Sequence, residues 1–107
     1  MSDAGGNQSD SGSTTLHLTI HGHVQGVGFR WSMCEAARAL GLKGWVRNRR
    51  DGTVEAVAVG PSEALTALRE WARHGPRGAH VDRVVEREAQ TAEIAPAGSG
   101  FVSLPGA

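Results

Sequence analysis

Apolar and polar residues alternate where the patterned part of the chain begins. Leu16, Leu18 and Ile20 interleave with His17, Thr19 and His21, the period of a strand that buries one face. The period then changes. Phe29, Met33, Ala36, Ala37 and Leu40 fall on one stripe, which predicts a helix over about 29–40, with Gly41 placed to take the left-handed conformation at its end. Residues 43–48 and 53–59 read as two strands, and the Asp51-Gly52 turn signal between them predicts an antiparallel hairpin. Gly60-Pro61 stops the second of these and opens another helix. Pro61 suits its first position and Glu63 its first turn, Leu65, Leu68 and Ala72 share a face, and His74-Gly75-Pro76 closes it. Residues 81–88 alternate more weakly, as an edge strand does. A loose Ala/Pro/Gly stretch follows, and Phe101-Val102-Ser103-Leu104 has the composition for a short fifth strand.

The order βαββαβ predicts an α+β fold, the ferredoxin-like sandwich: an antiparallel sheet with two helices on one face. That architecture hosts many functions, so the chemistry has to be read from residues.

Length and composition narrow the setting. A chain of 107 residues forms one domain, here expected over residues 15–105. Residues 1–14 are rich in Ser, Gly, Asp and Asn and carry no apolar run, which predicts a disordered tail and neither a signal peptide nor a membrane anchor. A cytoplasmic protein is expected. The 11 basic and 11 acidic residues balance, so no global field draws the molecule to nucleic acid or to a membrane. Cys34 is the sole cysteine, which excludes an internal disulfide and a cysteine zinc cluster; a small buried or half-buried helix residue is the plain reading.

The candidate chemistry sits between the first strand and the first helix. Gly22-His23-Val24-Gln25-Gly26-Val27-Gly28-Phe29-Arg30 is a Gly-rich loop that ends in an arginine at the helix opening. Its glycines allow positive φ, the helix start offers unpaired N–H groups and the positive end of a dipole, and Arg30 adds a planar fork of donors. Phosphate is the natural guest of such a site. Seen alone, glycines before a helix are usually plain turn residues. The loop lacks the Gly-Lys-Ser/Thr of a Walker motif, and Trp31 stands where a dinucleotide-binding loop needs its third glycine.

A second segment changes that reading. Gly44-Trp45-Val46-Arg47-Asn48, with Gly52, Val54 and Gly60 at matching offsets, together with the loop from Gly22 to Arg30, resembles the two signatures of the acylphosphatase family. Gly75-Pro76, Ala79 and Val81 extend the resemblance over about residues 16–88, while the polar tail and the stretch before Phe101 depart from it. The resemblance implies a hydrolase that splits acyl phosphates into a carboxylate and inorganic phosphate. It implies that Arg30 and the backbone of Val24, Gln25, Gly26, Val27, Gly28 and Phe29 bind the phosphoryl group, and that Asn48 orients the water. Phosphoryl transfer depends mainly on positioning and charge neutralisation, which fits the lack of a His/Asp or paired-carboxylate constellation beside these motifs. No cofactor and no metal are expected.

Other readings stay on the page. His17, His21 and His23 fall on one side of an ideal strand and could ligate zinc, although a solvent-facing sheet surface would carry such residues anyway. Arg47, Arg49 and Arg50 form a local basic patch that could steer a phosphorylated substrate or could be a solvated turn, and the presence of Asn48 among them favours the first. Trp45 and Trp71 read as packing residues. A non-catalytic phosphate-binding module, or a nucleic-acid-binding module of the same topology, is the alternative function. The latter needs aromatics on the central strands, and residues 53–59 have none, so no nucleic-acid partner is expected. Nothing in the sequence suggests an extended apolar interface, and a monomer is expected.

Overall fold

The computed structural model describes residues 14–107. Strand β1 spans Thr14–His23, helix α1 Phe29–Ala39, β2 Lys43–Asn48, β3 Val54–Gly60, helix α2 Ser62–His74, β4 His80–Glu88 and β5 Phe101–Ser103. The order in the sheet is β4-β1-β3-β2-β5. The expected tail lies outside the described residues, save Thr14, which already opens β1 opposite Gly60.

The hydrophobic alternation decides which face meets the helices. Leu16, Leu18 and Ile20 of β1, Val46 of β2 and Val54, Ala56 and Ala58 of β3 form one buried cluster with Phe29, Met33 and Ala37 of α1 and Leu65, Leu68 and Ala72 of α2. Burying a Phe, Leu or Ile side chain stabilises by about 1.5–3 kcal/mol, so this interlayer dominates the fold. Trp71 stands edge-on to Phe29, with ring centroids 5.2 Å apart, and thereby joins the two helices. Cys34 is buried within α1.

The four strands of the expected sandwich pair antiparallel, and three details need completion or correction. First, the short fifth strand makes the sheet mixed: β5 pairs parallel with β2, Gly44 opposite Phe101 and Val46 opposite Ser103. A strand that returns from a distant part of the chain has no tight hairpin to force its direction. Second, the stretch before it is not loose. Thr91–Ala97 forms a 3-10 helix whose Gln90 and Glu93 cap each other's backbone. It lies on the sheet face away from the helices, where Ala97 and Ala89 pack on Trp45 and Val57, and the Trp45 indole N–H donates to the Glu93 carbonyl at 2.7 Å. Third, Pro61 caps α2 in an extended conformation, one place before the first helical residue. The weak alternation of β4 matches its place at the sheet edge. No helix among the described residues is long and apolar enough to cross a membrane.

Candidate active site

The loop between β1 and α1 ends on a helix start that no side chain among the described residues caps. Gly28 is the N-cap of α1 at φ 79°, ψ 19°, a left-handed conformation that glycine adopts at no steric cost. Gly26 is also left-handed, at φ 77°. No side chain caps α1 and its first turn holds no acidic residue, whereas α2 carries Glu63 in its first turn. Among the described residues, no backbone bond outside the regular elements takes up an N–H of residues 24–28. The first-turn N–H groups of Phe29, Arg30 and Trp31 have no intrahelical acceptor by construction. The N-terminus of α1 thus presents a concentration of unused donors with the dipole's positive end behind them.

Arg30 and Asn48 line one cavity of about 340 Å³, together with Val24, Gly26, Gly28 and Phe29 from the loop. Asn48 is the last residue of β2, half-buried and paired with Val54 of β3. Among the described residues no carboxylate pairs with Arg30. The two motifs, 18 positions apart in the chain from Arg30 to Asn48, therefore share one hollow. Gln25 and Val27 do not line it. Val27 packs against the core. The Gln25 side-chain amide donates to the carbonyls of Arg49 at 2.7 Å and Thr53 at 2.9 Å, which fastens the Gly-rich loop to the β2–β3 turn. That turn is itself held by Asp51, whose carboxylate accepts from the Thr53 backbone N–H and hydroxyl. These hydrogen bonds from Thr53 hold the Asp51 carboxyl below the usual carboxylate range.

The cavity also includes Trp31, Cys34 and Arg38 of α1 and Ser103 of β5, which the sequence reading did not bring forward. A signal existed. Positions 30, 34 and 38 recur every four residues along α1, beside the apolar stripe of 29, 33 and 37. Arg38 donates from Nε to the Phe101 carbonyl at 3.1 Å, a contact that only the fold could reveal. Burial pushes the Cys34 thiol up, against the opposing pull of Arg38 and Arg30.

Two arginines of the basic patch at the hairpin have a structural partner. Glu55 of β3 is buried on the sheet face opposite the helices, where its carboxylate accepts from Arg47 Nε at 2.8 Å and Arg49 Nη1 at 3.1 Å. His17 Nε2 lies 2.7 Å from the other Glu55 oxygen. Two of the three arginines are thus ion-paired; the alternation of β2 sends Arg47 to the face opposite Asn48, whereas Arg49 and Arg50 border a second hollow beside Asn48. Burial pushes the Glu55 carboxyl up, but the hydrogen bonds from His17, Arg47 and Arg49 outweigh it and hold the group below its ordinary value. The three histidines do not converge as the ideal strand suggested. A register shift between His21 and Gly22 breaks the alternation, His17 is buried against Glu55, and His23 is exposed. Among the described residues no group of three or more His, Cys, Asp or Glu comes together as a metal-ligand set.

The acylphosphatase family profile matches residues 16–102. An acylphosphatase of Azorhizobium caulinodans is 58% identical over 87 residues, which cover 81% of this chain and 90% of that protein. The solved structure of an acylphosphatase from Coxiella burnetii superposes with a TM-score of 0.81 at 37% identity, over 92% of this chain and 99% of that one. A full-length HypF, crystallised in a phosphate- and nucleotide-bound form, contains a similar unit, with a TM-score of 0.77 at 25% identity, but this chain spans only 12% of it. With a match that runs through both motifs and nearly every element of the sheet, the chain belongs to the acylphosphatase family.

Proposed function

We propose that the chain hydrolyses the carboxyl–phosphate bond of acyl phosphates with Arg30 and the N–H groups of residues 24–29 binding the phosphoryl group and Asn48 orienting the attacking water. The observation that carries this reading is the one cavity in which Arg30, without a carboxylate partner among the described residues, the uncapped start of α1 and Asn48 meet. Arg30 can grip two phosphoryl oxygens at once, and the loop donors neutralise the remaining charge as it spreads over the equatorial oxygens. Asn48 offers both a donor and an acceptor, enough to fix a water in line without taking its proton.

The water oxygen forms a bond to phosphorus as the bond from phosphorus to the acyl oxygen breaks. The carboxylate leaves with the electron pair, and the water's proton passes to a phosphoryl oxygen. Because a carboxylic acid ionises near pH 4, at about 3.9–4.3 for the side-chain examples, the leaving group needs no general acid. This chemistry places no demand on a metal.

The test is hydrolysis of an aryl acyl phosphate in excess chelator, followed against the spontaneous rate. Wild-type protein should accelerate it, and Arg30→Lys, which keeps the charge but loses the fork, should reduce turnover by roughly three orders of magnitude, as for catalytic arginines in phosphoryl transfer. An Arg30→Lys protein with a third of wild-type activity and unchanged circular dichroism would end the assignment.

A further inference from the structure

The cavity is larger than a phosphoryl group requires. At about 340 Å³ it lies within the range of roughly 300–1,000 Å³ typical of pockets that hold whole small molecules. In an acyl phosphate a single bridging oxygen separates phosphorus from the carbonyl carbon, so an acyl group must lie in the same hollow as the phosphoryl group. The remaining lining decides what that acyl group meets. Arg38 is tied to the Phe101 carbonyl through Nε and faces Glu35 at 3.7 Å, so its charge is partly answered already. Cys34 is buried. Trp31 is different: its residue is 70% exposed, the most exposed large apolar side chain among the described residues, and it lines the cavity next in sequence to Arg30.

The fold gains little from this indole. The buried residues of α1 are Phe29, Met33, Cys34 and Ala37, and Trp31 points off that stripe. Trp45 and Trp71, by contrast, are packed, one against the 3-10 helix and one against Phe29. What sets Trp31 apart from an ordinary exposed apolar residue is its place in the cavity lining beside Arg30, where its flat face can cover a flat apolar group attached to the bound anion.

We propose that Trp31 forms the acyl-binding wall of the site and favours acyl phosphates with an aromatic acyl group over those with a small alkyl one. The inference rests on the hydrolase reading above. It assigns Trp31 to substrate choice and leaves the phosphoryl chemistry to Arg30, the loop and Asn48.

The experiment compares kcat/KM for benzoyl phosphate and acetyl phosphate in wild type, Trp31→Ala and Trp31→Phe. The benzoyl-to-acetyl ratio should fall about two- to tenfold in Trp31→Ala, the range expected for loss of one aromatic pair, and should be largely restored in Trp31→Phe. Inhibition by inorganic phosphate should not move. An unchanged ratio, or an equal loss for both substrates, overturns the wall while leaving the hydrolase reading intact. Failure of wild-type protein to hydrolyse either substrate overturns both. Should a variant not fold, wild-type protein still decides. Benzylphosphonate should inhibit at least about twofold more tightly than methylphosphonate, and equal inhibition would refute the proposal.

Discussion

Glu55→Ala removes a buried carboxylate from three partners at once. The loss is not three full ion pairs, because the Arg47 and Arg49 side chains are 30% and 42% exposed and can turn to water. The His17 side chain is only 9% exposed and cannot, so its ring nitrogen is left without a partner in a confined place. An unsatisfied buried polar group costs about 1–3 kcal/mol, and the two weakened arginine contacts add a fraction more, which gives about 1.5–3.5 kcal/mol in all. For a domain of this size each kcal/mol moves Tm by about 4–8 °C, so thermal unfolding followed by circular dichroism should shift down by roughly 6–28 °C. Glu55→Gln should recover much of this, since an amide can accept from the arginines with its oxygen and donate to the His17 ring with its nitrogen. The pH dependence follows from the sign of the shift. Glu55 is held below its ordinary value, so its contribution is present above the unfolded value of about 4.3 and is lost as pH falls through the lower folded value. Wild-type Tm should therefore decline more steeply than that of Glu55→Gln in acid. A fall in Tm of less than about 3 °C for Glu55→Ala, or equal losses for Ala and Gln, would refute the reasoning.

Three further outcomes are expected. Asn48→Ala should lower kcat about a hundredfold or more with little change in inhibition by phosphate, and Asn48→Asp should do no better near neutral pH because it sets a negative charge beside the phosphoryl group; full activity in the Asp variant would mean that the water needs a base. Gly44→Ala should unfold the chain at a much lower denaturant concentration, with a loss of more than about 2 kcal/mol, since at φ 157° an added Cβ meets the Val57 carbonyl and the Ala58 backbone, neither of which can give. Glu93 is lowered to about 2 by its hydrogen bonds from Arg87 and the Gln90 backbone, so its contribution, present above about 4.3, should fade as pH falls toward 2; a carboxyl resonance in NMR that titrates at its ordinary value would contradict the paired geometry.

What the sequence discloses here is what local rules control. The strands of the hairpin end within a residue of their expected limits because Asp51-Gly52 fixes the turn, and both helices follow their apolar stripes. The 3-10 helix escaped because it leans on distant Trp45 and Val57, and its one local device, the Gln90–Glu93 cap, precedes no apolar stripe. The parallel sense of β5 escaped for the same reason. His17 misled because burial beside Glu55, 38 residues away, looks in the sequence like any polar position of an alternating strand. At the site, Arg30 and Asn48 were readable through their motifs. Arg38 showed only its spacing from Arg30 and Cys34, and Ser103 showed nothing, since its place depends on a strand that pairs with β2 from more than 50 residues away.

That strand has a consequence for the sheet edge as well as for the cavity. The Phe101 carbonyl anchors Arg38, and Ser103 lines the cavity. The N–H groups of Leu104 and Ala107 take up the carbonyls of Val46 and Asn48 along the outer edge of β2. Without β5 and the residues that follow it, the edge of β2 would show these backbone groups unpaired to its surroundings, an invitation to another strand. The same short segment therefore completes the cavity and shields the sheet from edge-to-edge association.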